Sequence, residues 1–259
     1  GGLVAEAHRA LHLHGPGDVQ RRLRALNPDA HPAVLVVERL IAEFPHLDLA
    51  MTVEDTVLGT KGKVSNIASA LRAVRHDIIV VVDSDMRVSS DYLRTVADCF
   101  YDPRVGAATC LYKGTPQGGL ASRLGAMFIN EWFLLSVLVN LSYSKIDYCF
   151  GATMAVRRDV LEKIGGIKGL ANELADDYYL GKKVTALGYK VALVPYVVEN
   201  IVHEPDFARL YYHELRWART VHSVQPLGFV LSVLTDAVPL AAIALLASGF
   251  SVLGWGFLA

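Results

Sequence analysis

The stretch His76-Asp77-Ile78-Ile79-Val80-Val81-Val82-Asp83-Ser84-Asp85 constrains this chain more than any other. Five consecutive Ile and Val residues run directly into two carboxylates separated by one residue. A continuous β-branched run bounded by charge reads as a strand buried on both faces, as in a parallel or mixed sheet flanked by helices. In open α/β sheets ligands gather beyond the carboxyl ends of such strands. Asp83 and Asp85 at that end could share a divalent cation, Mg²⁺ or Mn²⁺, because hard cations prefer oxygen ligands and readily carry phosphate oxygens as well. A polar turn capping the next helix is the alternative, so the remainder of the chain has to discriminate.

Composition narrows the classes. The 259 residues suit one large α/β domain or a domain with an appendage. A net charge of −1 offers no basic surface, which argues against nucleic acid as a partner. Hydrophobic residues make up 53% and the mean hydropathy is +0.33, which directs attention to a membrane segment. Cys99, Cys110 and Cys149 have no metal-like spacing and cannot all pair, as expected of a reduced, cytoplasm-facing domain.

Residues 1–26 carry scattered His and Arg and a Gly15-Pro16-Gly17 breaker, and they read as irregular, with neither a secretory signal nor a strand. Residues 33–44 have apolar positions at helical spacing, with Asn27-Pro28-Asp29 as the entry loop and His31-Pro32 as the first turn. A short strand is expected over 47–53. Gly59-Thr60-Lys61-Gly62-Lys63 then precedes a helix over 64–74, where backbone N–H groups and lysines could receive an anion or simply form a surface turn. Ser89-Ser90-Asp91 offers an N-cap for a helix reaching Phe100, and 105–111 reads as the next strand.

Residues 120–141 are mostly apolar but interrupted by Arg123, Asn130 and Glu131. The pattern is too broken for a bilayer span and leaves two readings, a membrane-interface helix or a core helix. A strand over 148–156 contains Gly151, and a short helix over 159–164 stops at Gly165-Gly166. Glu173-Leu174-Ala175-Asp176-Asp177 opens a helix ending at Gly188. Its adjacent carboxylates cannot share one face, so one can enter a cleft, although acids in a first turn also suit the helix dipole. Two strands are expected at 190–194 and 197–202. The following helix, 206–222, carries His213-Glu214-Leu215-Arg216-Trp217, in which a cation beside an indole could bind a diphosphate and stack on a ligand. From Ala237 to Ala259 no charged residue occurs, which is long enough for a transmembrane helix. Arg216, Arg219 and His222 precede it and place the globular part on the cytoplasmic side.

Taken together, Gly62-Lys63-Val64-Ser65-Asn66, Asp83-Ser84-Asp85, Glu173-Leu174-Ala175-Asp176-Asp177 and His213-Glu214-Leu215-Arg216-Trp217-Ala218-Arg219-Thr220 resemble the signatures of the ceramide glucosyltransferases, glycosyltransferase family 21. Within that family the wording is most similar to the bacterial hopanoid-biosynthesis branch. The resemblance implies an A-type glycosyltransferase fold, a Rossmann-like mixed sheet flanked by helices, followed by a C-terminal transmembrane helix. It implies an inverting enzyme that transfers a hexose or N-acetylhexosamine from a UDP-sugar to a lipid hydroxyl, of a hopanoid polyol or a ceramide-like lipid, at the bacterial inner membrane.

The same resemblance implies roles. Asp177 matches the catalytic base, Asp83 and Asp85 the motif for the divalent metal and donor diphosphate, and Asp29 the first nucleotide-contacting aspartate. Lys63 lies in the donor-side loop, and His213, Arg216 and Trp217 occupy the element that helps hold the diphosphate and acceptor, with His where the family has Gln or Arg. One base without a second, nucleophilic carboxylate implies direct displacement with inversion.

The expected organisation is an atypical segment 1–26, a catalytic domain 27–226 and a membrane-associated segment 227–259. Because 1–26 lacks the family's opening strand, a fragment with an incomplete nucleotide pocket is expected. A processive polysaccharide synthase and an inactive membrane-anchored binding protein are the competing readings.

Overall fold

The computed structural model describes residues 4–7, 9–10, 32–51, 67–68, 70–72, 74–171, 173–232 and 237–250. Asp29, Lys63 and the surrounding loops lie outside the described residues. The chain divides into two units, Gly1–Asp206 and Phe207–Ala259.

The first unit is built on a seven-stranded mixed sheet. Its strands are β1 (Val4–Ala7), β2 (Arg9–Ala10), β3 (Ile78–Asp83), β4 (Met86–Arg87), β5 (Val105–Pro116), β6 (Thr153–Arg157) and β7 (Lys190–Val202), in the order β2-β1-β3-β6-β5-β7-β4. The acidic strand is β3, with residues 79–82 all buried, as its unbroken Ile/Val run predicts. It pairs parallel with β1 and antiparallel with β6, while β5 runs antiparallel to β6 and parallel to β7. Consequently β1, β3, β5 and β7 all end at one edge of the sheet.

The strand order contains a geometric demand. Between β3 and β4 lie only Ser84 and Asp85, yet β4 pairs at the far side of β7, four strand positions away. Four spacings in a flat sheet would be ~19 Å, whereas three extended residues reach only ~11 Å. The sheet therefore curls, and the β5–β7 register shifts at Val105/Ala107 and Thr109/Leu111 mark where it bends. This curl returns the β4 pairing to the end of β3.

Helices cover the sheet. They are α1 (Pro32–Glu43), α2 (Tyr92–Asp98), α3 (Leu120–Met127), α4 (Leu134–Tyr143), α5 (Arg158–Lys163) and α6 (Asp176–Ala186). Ile79 and Val81 of β3 pack with Met154, Leu161, Leu170, Leu180 and Val184 in one core. Arg158 locks the entry of β3, donating through Nη2 to Val74 O at 2.7 Å and through Nε to His76 O at 3.0 Å.

Several expectations change. Residues 1–26 do contain strands: Val4, Ala5 and Glu6 of β1 pair with Val81, Val82 and Asp83. Segments of two and four residues carry too little periodicity to be read from sequence, and it is pairing with β3 that creates them. Residues 47–51 form no strand, and 52–53 lie outside the described residues. The two strands expected at 190–202 are one, bent at its register shift and not broken by Pro195. The strand expected at 148–156 begins only at Thr153, because Phe150 to Ala152 turn beneath it. Asp91 stands at the N-cap of α2 but does not cap it, since its carboxylate accepts the Ser89 hydroxyl and is thereby held below the usual carboxylate pKa.

The 120–143 stretch is one 24-residue helix, with a π-helical turn at Phe128–Phe133 between α3 and α4. It splits between its two readings. In the first half Ala121, Ser122, Gly125, Ala126 and Ile129 are buried, and Asn130 exchanges bonds with both backbone groups of Gly114, donating to its O at 3.0 Å and accepting from its N–H at 2.8 Å. In α4 only Val137 is buried, and Leu135, Leu138, Val139 and Tyr143 face solvent. Contrary to the sequence reading, this is the helix among the described residues with the length and apolarity to cross a membrane.

The second unit holds α7 (Phe207–Val224), α8 (Pro226–Leu231) and α9 (Ala237–Ala247). The uninterrupted span expected over 237–259 is not formed in the described residues. Gly249, at φ +61°, ends α9 in a Schellman turn, with Phe250 N–H donating to Leu245 O and Gly249 N–H to Leu246 O, both at 3.1 Å. Residues 251–259 lie outside the described residues.

Candidate functional site

Asp83 ends β3 half-buried, and Asp85 sits exposed in the two-residue turn that follows. That turn is held by β7: Ile201 N–H donates to Asp85 O at 2.8 Å, and Asn200 Nδ2 donates to Asp85 Oδ2 at 2.8 Å. Next to Asn200, Glu199 accepts from Lys113 at 2.9 Å and pairs with Arg87 at 3.6 Å, and the Lys113 hydrogen bond and charge lower its pKa.

The second acidic cluster reaches the same sheet edge by a different route. β6 starts at Thr153, opposite Val82, so residues 148–152 cross the edge where β3 ends. Cys149 N–H donates to Asp177 O at 3.3 Å, which attaches the N-terminus of α6 to that crossing. Asp176 is buried and Asp177 half-buried, the division expected of adjacent carboxylates on a helix. Asp177 Oδ1 accepts the Tyr178 N–H at 2.8 Å.

Two devices fix the crossing. Thr109, fully buried on β5, donates to Thr153 O at 2.7 Å and accepts from Phe150 N–H at 2.8 Å. Tyr92 OH meets Thr153 Oγ1 at 2.8 Å. An aromatic series then runs from the long apolar helix to α6: Phe133 is edge-on to Phe150 at 5.6 Å, Phe150 to Tyr148 at 5.4 Å, and Tyr148 stacks on Tyr178 at 5.8 Å. Lys182 adds an ion pair to Asp147 at 2.6 Å and lies over the Tyr178 ring. Burial raises the Cys149 thiol pKa, and the nearby Asp177 charge adds to the rise.

Among the described residues no three His, Cys, Asp or Glu groups converge as a metal cage. The donor set nevertheless fits a hard cation that shares its shell with phosphates, which needs only one or two protein carboxylates. Asp83 and Asp85 supply two, at an edge open to solvent on the Asp85 side.

In the second unit His213 and Trp217 stand one turn apart on α7 with ring centroids at 5.7 Å, edge to face, and Arg216 on the same helix is exposed. The i, i+3 and i+4 spacing seen in the sequence thus places the three on one face of α7.

Sequence reading missed Asn200 and the aromatic series. Asn200 had a signal: an amide inside Val197-Val198-Glu199-Asn200-Ile201-Val202 is costly to bury unless a specific partner meets it. The aromatic residues had none, since they come from three separate segments.

Comparison with known proteins bears on the family and the fold. Ceramide glucosyltransferase 3 of Caenorhabditis elegans is 23% identical over 220 residues, covering 84% of this chain and 47% of the relative. Ceramide glucosyltransferase 1 of the same organism is 22% identical over 223 residues, covering 86% and 47%. The chain thus spans about half the length of these curated relatives. Among solved structures, a mannosyltransferase of Pyrobaculum calidifontis in complex with GDP-Man and Mn2+ superposes with a TM-score of 0.55 at 22% identity, covering 76% of this chain and 50% of that one. That likeness shows the fold, an A-type glycosyltransferase sheet flanked by helices. Residues 25–259 match the family model of Glycosyl transferase family 21; with four ordered motifs inside that range, the chain belongs to glycosyl transferase family 21.

Proposed function

We propose that this chain is an inverting glycosyltransferase that moves a hexose or N-acetylhexosamine from a UDP-sugar to a hydroxyl of a membrane lipid, a hopanoid polyol or a ceramide-like lipid. The observation that carries the reading is the convergence of Asp83, Asp85 and Asp177 on one edge of the sheet, brought there by β3, β6 and α6. The names of the two nematode relatives support a lipid acceptor, and the nucleotide-sugar complex of the mannosyltransferase supports a donor of that class.

In this reading Asp177 is the general base. It takes the acceptor hydroxyl proton as the acceptor oxygen bonds to the anomeric carbon and the bond from that carbon to the diphosphate oxygen breaks. A single such carboxylate gives direct displacement and inversion. Asp83 and Asp85 would hold Mn²⁺ or Mg²⁺, which when bound supplies positive charge to the leaving diphosphate. Asp29, Lys63, His213, Arg216 and Trp217 keep the donor-binding roles that the family motifs imply.

The exposed apolar face of α4 is the surface that would meet the bilayer, since no charge occurs between Glu131 and Lys145. Arg216 and Arg219, which precede the apolar C-terminal segment, support a cytoplasmic catalytic domain at the bacterial inner membrane.

The test incubates membranes carrying the chain with each labelled UDP-sugar, Mn²⁺ and extracted hopanoids or ceramides. Labelled lipid of inverted anomeric configuration is expected. UDP-sugar binding without any lipid product would replace this reading by that of an inactive binding protein, and a polymeric product by that of a polysaccharide synthase.

A further inference from the structure

We propose that Asn200 is a positioning residue that orients the Asp85 carboxylate for the donor-bound cation. The inference rests on the reading of Asp83 and Asp85 as the cation and diphosphate site. Asn200 is 9% exposed, lies on β7, and is 115 residues from Asp85 in the chain, yet its Nδ2 donates to Asp85 Oδ2 at 2.8 Å.

The turn does not need this bond in order to close. Met86 pairs with Asn200 and Arg87 with Glu199 along the backbone, and Ile201 N–H already donates to Asp85 O at 2.8 Å. What the side chain adds is control of the carboxylate plane. The second amide hydrogen has its own acceptor in Met86 Sδ at 3.9 Å, so the Asn200 amide is itself held in orientation. One hydrogen bond engages one of the roughly four lone-pair sites of a carboxylate, and Asp85 is exposed, so the Asn200 bond leaves other sites of this carboxylate open to solvent two residues beyond Asp83.

Why an amide stands there follows from charge. A carboxylate at this position would repel Asp85, and a cation would compete with the metal for it. An amide donates a hydrogen bond while adding no net charge, which suits a partner that orients a metal-ligating carboxylate from outside the coordination shell.

The experiment is a Mn²⁺ titration of the full chain, with free Mn²⁺ followed by its electron paramagnetic resonance signal and folding checked by thermal unfolding. Asn200→Leu keeps the shape and removes the donor, and is expected to weaken Mn²⁺ binding about 10–100-fold. Asn200→Ser, too short to reach Asp85, gives a second reading where the Leu variant fails to fold, with weakening in the same direction. Glu199→Gln, on the same strand, is expected to leave Mn²⁺ affinity unchanged although it loses two ion pairs. Folded Asn200 variants with wild-type Mn²⁺ affinity overturn this inference alone. A wild-type chain that binds no Mn²⁺, either alone or with UDP present, overturns the reading of Asp83 and Asp85, and this inference with it. Equal weakening in Glu199→Gln reduces Asn200 to a part of general strand stability and also overturns the proposal.

Discussion

Gly181 lies against the backbone of Tyr148 so closely that a Cβ built on it would stand 2.3 Å from Tyr148 Cα and 2.9 Å from Asp147 O. Both obstacles are main chain, so neither can swing aside. Ala is the better helix former by ~1 kcal/mol, but overpacking costs ~1–3 kcal/mol, and here the clash should win. Gly181→Ala is expected to lower the unfolding temperature by several degrees and to slow transfer, since the same contact seats Asp177 through Cys149. Thermal unfolding and turnover of the variant check both effects. A more stable, fully active variant would show that α6 is free to move away from the crossing.

Replacement of the proposed base separates chemistry from binding. Asp177→Asn keeps an acceptor for Tyr178 N–H and removes the proton-accepting carboxylate. Transfer should fall by about 10²–10⁴, the usual contribution of a general base, while UDP-sugar affinity stays within a few-fold of wild type. Transfer at a near wild-type rate would move the base elsewhere.

Thr109→Val tests the buried network beneath the crossing. The substitution preserves shape but leaves the Phe150 N–H, which Thr109 Oγ1 accepts at 2.8 Å, without that acceptor. An unsatisfied buried donor costs ~1–3 kcal/mol, so a clear loss of stability is expected in chemical denaturation. Thr109→Ser, which retains the hydroxyl, should recover most of it.

Membrane contact through α4 predicts sensitivity at its exposed apolar positions. Leu135→Glu with Leu138→Glu places charges where both side chains face solvent, so folding should survive while association with anionic lipid vesicles falls. The same change on the buried side, Val137→Glu, should instead unfold the helix packing. Vesicle co-sedimentation alongside circular dichroism distinguishes the two outcomes.

Alkaline pH should destabilise the chain through its buried thiols. Burial pushes Cys110 from the ordinary thiol value of 9.0 up to about 12, and it raises Cys149 as well. The folded state therefore keeps protons that the unfolded chain releases, so this stability is complete below about pH 9. It is lost as pH rises from there toward 12. Denaturation midpoints measured between pH 8 and 10.5 should fall, and native Cys110 should resist alkylation at pH 8 until the protein is unfolded.

Much of the frame was legible because it rests on local chemistry. The Ile78 to Val82 run has no satisfactory fate except a buried strand, and α1 and α7 follow from apolar residues at helical spacing. The misreadings share a cause. Val4–Ala7 becomes a strand only through its pairing with β3, and Lys190–Val202 remains one strand despite Pro195 because β5 holds it on both sides of the bend. The helix 120–143 looked ambiguous because its two halves have different surroundings, a sheet for one and solvent for the other.

By itself the sequence singled out the candidate residues: Asp83 and Asp85 at a strand end, Asp177 in a first helical turn, and His213, Arg216 and Trp217 at helical spacing on one segment. Only the tertiary structure decided that β6 and α6 bring Asp177 to the edge where β3 ends, that Asn200 meets Asp85, and that Gly181 lets α6 approach Tyr148. The reason is physical. Periodicity and propensity record how a residue suits its neighbours along the chain, whereas a side chain's orientation and partners are set by segments that become neighbours only when the sheet curls and closes.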